Sequence, residues 1–186
     1  MKKVILFNMV TLDGFFEGPN HAIDWHRVDD EFNDFAIAQL NTIDVLLFGR
    51  VTYELMANYW PSTGAVEDDP VIAKKMNSMP KIVFSTTLEK ADWNNTRLVK
   101  VNAVNEIQNL KQQPGKDLLL MGSATLAATL IRSGLLDEYR LIINPVILGS
   151  GTPLFKDMEK PLNLKLLKTK TFQNGNVLLY YLPVTG

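Results

Sequence analysis

Three stretches of this sequence, Lys3–Val10, Ile43–Phe48 and Asp117–Met121, run almost without a break through apolar, β-favouring residues, with no alternation of polar and apolar positions. A strand that is apolar on both sides must be covered on both sides. A parallel sheet with helices packed on each face meets that condition. The segments between these strands have helical spacing. Phe32, Phe35, Ala36 and Leu40 recur on one face of Asp29–Leu40, whose early acids suit a helix N-terminus. Helices are also expected over Arg50–Asn58, from Pro70 to just before Pro80, over Asn105–Gln113, and over Ala124–Arg132 with Gly134 after it. Lys81–Phe84, Leu98–Val101 and Tyr139–Ile143 are shorter strand candidates. Leu162–Phe172 and Asn176–Leu182 flank Asn174-Gly175, a hairpin signal. Leu12–Asn20 and Pro61–Asp69 read as loops. The expected class is α/β: a mainly parallel sheet between helical layers, with an antiparallel hairpin at its edge. No repeat or linker divides the chain, so residues 1–186 are read as one domain, long enough to bury a full core.

Composition narrows the partners. The net charge is −1 with 21% charged residues, so no net basic field points to nucleic acid. There is no cysteine, which removes disulfides, thiolate nucleophiles and Cys-ligated zinc together. The two histidines, His21 and His26, lack the companions a metal site needs. No apolar window approaches the ~18 residues of a membrane span. Met-Lys-Lys followed by a short apolar run lacks the length and cleavage site of a signal peptide. A cytoplasmic protein that contacts neither membrane nor nucleic acid is expected.

Three strand ends share a pattern of apolar strand, small polar turn, then helix or loop: Leu47-Phe48-Gly49-Arg50-Val51-Thr52, Val83-Phe84-Ser85-Thr86-Thr87 and Leu120-Met121-Gly122-Ser123-Ala124-Thr125. In open α/β sheets ligands bind beyond the carboxyl ends of the strands. Helix N-termini there offer free N–H groups and partial positive charge to phosphate. Glycine allows close backbone approach, and Arg50 adds a bidentate donor. The same Ser and Thr residues also suit plain helix caps. The Rossmann and P-loop fingerprints are absent, and so is the Gly-x-Ser-x-Gly elbow.

Gly49-Arg50-Val51-Thr52-Tyr53-Glu54 after an apolar strand resembles the Gly-Arg-x-Thr-aromatic-Glu segment of dihydrofolate reductase. Thr11-Leu12-Asp13-Gly14, Gly122-Ser123, Gly134-Leu135-Leu136-Asp137-Glu138 and Pro145-Val146-Ile147-Leu148-Gly149-Ser150-Gly151 resemble the related reductase domain of the bifunctional riboflavin-biosynthesis deaminase/reductase. The likeness spans nearly the whole chain and is nearest to stand-alone bacterial members. It implies a dihydrofolate reductase-like three-layer sandwich with a mixed sheet of about eight strands. It also implies NADPH as hydride donor, held by Gly49, Arg50 and Thr52 at the phosphates and by Ser85 and Thr86 near the adenosine and its 2′-phosphate. Gly122, Ser123, Ala124 and Thr125 would hold the pyrophosphate, and Asn8 and Met9 would line the nicotinamide pocket.

On the substrate side, register with Phe35 places Glu31 at the family's catalytic carboxylate, with Asp30 and Asp34 as rivals. Asp13 and Trp25 would face the substrate, and the 12–26 loop would be the lid. Helix-start acids also arise for macrodipole reasons, Asp13 could instead cap the Gly14 turn, and Trp25 could be a hydrophobic plug. The implied activity is reduction of a small nitrogen heterocycle by a homodimer. The nearest likeness is to 5-amino-6-(5-phosphoribosylamino)uracil reductase. Dihydrofolate reduction and a non-catalytic NADP-binding module are the alternatives.

Overall fold

The coordinates are a computed structural model that describes residues 1–156, 158 and 160–184. The first apolar run is β1 (Val4–Thr11), buried at all eight positions. After it come β2 (Phe15–Glu17), a 3-10 turn at Pro19–His21, α1 (Asp30–Leu40), β3 (Ile43–Gly49) and α2 (Arg50–Tyr59). The chain continues through α3 (Thr63–Asp68), α4 (Pro70–Ser78), β4 (Lys81–Phe84), β5 (Thr96–Val99) and α5 (Ala103–Gln112). It ends with β6 (Asp117–Met121), α6 (Ala124–Arg132), β7 (Glu138–Asn144), β8 (Thr152–Pro153), β9 (Leu164–Thr171) and β10 (Val177–Pro183).

Eight strands form one sheet in the order β5-β4-β3-β6-β1-β7-β10-β9, and β2 pairs separately with β8. From β5 through β7 every pairing is parallel, while β10 runs antiparallel to both β7 and β9. The six parallel strands therefore present their carboxyl ends along one rim. Alternate side chains of β1 divide between two cores, as the strand period requires. Ile5, Phe7 and Met9 pack with Phe32 and Leu40 of α1, Tyr53 of α2, Ile72 and Met76 of α4, and Phe172 and Leu178 of the hairpin region. Val4 and Leu6 pack with Ile107 and Leu110 of α5 and with Leu126, Ala127 and Leu130 of α6. The expected helical layers on both faces are present, and so is the hairpin at Asn174-Gly175. Among the described residues no helix is long and apolar enough to cross a membrane.

Four expectations need correction. Pro61–Asp69 is not a plain loop: the Ser62 hydroxyl accepts the Ala65 N–H at 3.2 Å and starts α3. Leu12–Asn20 is not wholly loop either, because Phe15 and Glu17 pair with Pro153 and Thr152. The fourth strand lies at Thr96–Val99, two residues before Leu98–Val101, and α5 begins at Ala103 rather than Asn105. That strand is an edge, so half-exposed Thr96 and exposed Arg97 weaken the apolar signal that marks the central strands.

Candidate functional site

A groove of about 790 Å³ opens on the carboxyl rim. It gathers the turns after β3, β4 and β6: Gly49, Arg50, Val51 and Thr52; Ser85, Thr86 and Thr87; Ser123, Ala124 and Thr125. Residues from a fourth turn, Lys100, Val101, Asn102 and Ala103, complete this side. Phe16, Glu17, His21, Thr152 and Lys156 also line it, from the first loop and the β8 segment.

The helices that start here share a property. The first N–H groups of any α-helix lack partners within it and are normally met by a side-chain cap. Helix α1 has such a cap, Asp29, whose carboxylate accepts the Phe32 N–H at 2.8 Å, and α3 has Ser62. Helices α2, α5 and α6 carry none: Gly49, Asn102 and Ser123 stand at their N-caps without a side-chain bond into the helix. Three uncapped N-termini thus meet at one groove, each with the positive end of its dipole at the rim. An anion with several phosphate oxygens fits that donor set.

The cap position of α6 is occupied differently. The Ser123 hydroxyl accepts the Gly49 N–H at 2.7 Å and lies 3.1 Å from Thr52 Oγ1, so it ties α2 to the β6 turn. The turn must be glycine at Gly122: φ is +62° and a Cβ would lie 2.6 Å from Thr52 Oγ1. Gly49, Thr52 and Ser123 therefore build the cradle, while the N–H groups of the next residues are left for a ligand. The Ser85 hydroxyl is also used locally, accepting the Thr87 and Leu88 N–H groups at 3.2 and 2.9 Å. Arg50 Nη1 lies 3.0 Å from Glu54 Oε2, an exposed pair one helical turn apart.

Asn8, Met9 and Gly122 do not line the groove. Asn8 is buried with its Nδ2 3.5 Å from Gly122 O, and Met9 is buried toward α1. The substrate-side residues are not gathered there either. The Glu31 carboxylate accepts the Gln173 N–H at 2.9 Å and pairs with Lys170 at 3.2 Å, so it clips α1 to the terminal hairpin. The Gln173 N–H, and then Lys170, hold Glu31 below the usual carboxylate range, which opposes a proton-donating role. Asp30 and Asp34 are exposed on α1. Asp13 accepts the Gly149 and Leu148 N–H groups at 2.8 and 3.3 Å and fastens the first loop to the 148–149 turn. The Thr11 hydroxyl, followed by those N–H groups, lowers its pKa. Trp25 donates to Ala22 O at 3.2 Å and meets the His26 ring edge-on at 4.4 Å, within its own loop.

Sequence reasoning missed Glu17, His21, Lys100, Asn102 and Lys156. A signal existed for one turn: Val99-Lys100-Val101-Asn102-Ala103 repeats the strand–turn–helix pattern, hidden by the displaced strand boundary.

The RibD C-terminal domain model matches residues 2–178. The Bacillus subtilis protein YyaP is 41% identical over 182 residues, which covers 97% of this chain and 94% of its own. The deaminase/5-amino-6-(5-phosphoribosylamino)uracil reductase of Thermotoga maritima superposes with a TM-score of 0.68 at 15% identity, over 98% of this chain and 57% of that one. Dihydrofolate reductase of Enterococcus faecalis, solved as a complex with NADP(H), gives 0.65 at 15% identity, over 97% and 96%. The architecture is thus the dihydrofolate reductase-like sandwich that the sequence resembles.

Proposed function

The chain belongs to the RibD C-terminal domain family, and on that premise we propose that it is an NADPH-dependent reductase of a small nitrogen heterocycle. The nearest reaction is that of 5-amino-6-(5-phosphoribosylamino)uracil reductase in riboflavin biosynthesis. One observation carries the cofactor reading: α2, α5 and α6 all reach the same groove without side-chain caps. The N–H groups that open α2 and α6 suit the diphosphate. Ser85, Thr86 and the newly found Lys100 and Asn102 suit the adenosine half and its 2′-phosphate. Bound NADPH would supply the hydride. The chain's own residues would hold the phosphates, orient the rings and exclude water. The second copy of a homodimer belongs to the same proposal. Leu166 and Leu167, exposed on the outer edge strand β9, offer apolar surface for it.

Titration with NADPH tests the reading directly. At 100 times its Kd the cofactor stabilises by about 2.7 kcal/mol, a rise of roughly 5–10 °C in Tm for a chain of this size. The absence of both a thermal shift and a fluorescence change at millimolar NADPH would overturn it. A panel of ribosylaminopyrimidine phosphates and dihydrofolate, followed by NADPH oxidation, assigns the substrate. The engagement of Glu31 by the hairpin favours one second reading, a non-catalytic NADP-binding module. NADPH binding with no turnover of any panel member would decide for it. Light scattering at micromolar concentration tests the dimer, which a monomeric mass would remove.

A further inference from the structure

Glu17 and His21 are among the groove residues that have no part in the phosphate reading so far. Glu17 ends β2, and its side chain is only 11% exposed. A buried carboxylate needs a partner. Here it is His21, whose Nδ1 lies 2.9 Å from Glu17 Oε2 while the imidazole itself remains 59% exposed. His21 is therefore not a core residue, yet it is held firmly. Asn20 and His21 both take left-handed backbone, with φ of 58° and 61°. Residues kept in such conformations persist where surrounding structure imposes them, and they concentrate at binding sites. The turn is closed by Gly18 N–H to Ala22 O at 2.8 Å and Ala22 N–H to Pro19 O at 3.2 Å. From the other side Gly151 packs against Glu17 O so closely that a Cβ there would collide with it. The whole device stands on the wall formed by the first loop and the β8 segment, in the groove that three uncapped helices share.

With Nδ1 facing the carboxylate, Nε2 is the ring nitrogen left for a ligand. Glu17 fixes the tautomer and orientation, as carboxylates do behind functional imidazoles. We propose that the Glu17–His21 pair is a cofactor-positioning dyad in which the imidazolium Nε2 of His21 contacts the diphosphate of the bound dinucleotide while Glu17 holds the ring. The proposal rests on the NADPH reading and deepens it. The first loop then closes on the phosphates that α2 and α6 hold from the opposite side. Among the described residues the other charged side chains on the groove are Arg50, Lys100 and Lys156.

Calorimetric titrations of wild type, His21→Asn and Glu17→Gln with NADPH, and separately with adenosine 2′-monophosphate, test this. Asparagine accepts left-handed backbone, so His21→Asn keeps the turn. It should weaken NADPH about tenfold at pH 6.5, the scale of one charge-assisted bond, and leave adenosine 2′-monophosphate, which carries neither phosphate of the diphosphate, within about twofold. Glu17→Gln, which keeps the ring but loosens its orientation, should weaken NADPH less than His21→Asn does. Equal losses for both ligands would mean loop distortion and overturn the dyad, as would an unchanged NADPH affinity. Wild type that binds adenosine 2′-monophosphate but not NADPH also overturns it. Wild type that binds neither ligand removes the cofactor reading itself, and the dyad with it.

Discussion

The Ser123 hydroxyl has one proton and is surrounded by Gly49 N at 2.7 Å, Thr52 Oγ1 at 3.1 Å and Met121 O at 3.4 Å. It accepts from the first and donates to one of the others, so its single proton is spent inside the protein and none is left for an anion. Ser123→Ala leaves the half-buried Gly49 N–H without its acceptor. A loss of about 1–2 kcal/mol is expected, or roughly 3–6 °C in Tm. A melting curve within 1 °C of wild type, measured without ligand, would show that the latch is unimportant. His26 makes a different residue-scale prediction. Burial pushes its pKa down to about 4, against the attraction of Asp24, and its Nε2 is buried without a partner among the described residues. The unfolded chain takes up this proton near pH 6.5. Between those values the unfolded state binds a proton that the folded state refuses, so stability is intact above 6.5 and declines as pH falls toward 4. The loss reaches about 3 kcal/mol at pH 4. His26→Leu should flatten urea midpoints across this window, and an unchanged slope would assign the acid sensitivity elsewhere.

At the scale of elements, α4 shows how an interior lysine can replace a conventional helix ending. The Lys81 ammonium, at the first residue of β4, is 2.7 Å from Met76 O, 2.7 Å from Met79 O and 3.3 Å from Asn77 O, and sits 4.4 Å over the Trp93 ring. Burial pushes Lys81 down to about 8. Its three donors satisfy the carbonyls that every helix leaves open at its C-terminus. Lys81→Met removes the donors but keeps the apolar stem, and should cost about 3 kcal/mol in chemical denaturation. Affinity for NADPH should not change, since Lys81 lies at the amino end of its strand and the groove at the carboxyl ends. None of this was readable beforehand: a lysine opening an apolar run looks like a solvated strand end. Legibility followed burial. Strands buried on both faces, β1, β3 and β6, declared themselves by composition, and β6 and α6 were read to the residue. Elements held by a few polar contacts did not. Short α3 depends on the Ser62 cap, β2 on two pairings with a segment more than 130 residues away, and β5 is an exposed edge. The site divided similarly. Turns that follow central strands were visible, whereas Glu17 and His21 reach the groove only because β2 meets β8.

Across the whole molecule the two rims of the sheet are built on opposite principles. At the amino rim charges are paired: Lys2 with Asp44 at 2.9 Å, and Lys111 with Asp137, whose carboxylate also accepts the Val4 N–H at 2.8 Å. Lys81 caps α4 on the same side. At the carboxyl rim three helices begin without side-chain caps, and the first loop carries consecutive left-handed residues. Local opening should follow this division, because segments with unsatisfied donors and strained turns open more easily than braced ones. Amide exchange in the free protein should be fastest at 15–21, 49–52, 85–87, 100–104 and 122–126, and slow at 44–46, 80–82 and 135–137. A ligand that binds the folded state can protect only what opens without it. NADPH should therefore slow exchange at the carboxyl-rim segments together, including 15–21 on the opposite wall, while amino-rim amides stay near their free rates. Protection confined to α1 and the terminal hairpin would place the ligand elsewhere. Protection at 49–52 and 122–126 without 15–21 would leave the phosphate cradle standing but separate the first loop from it. The joint response of segments so far apart in the sequence distinguishes a groove closed from both walls from an anion resting on helix ends alone.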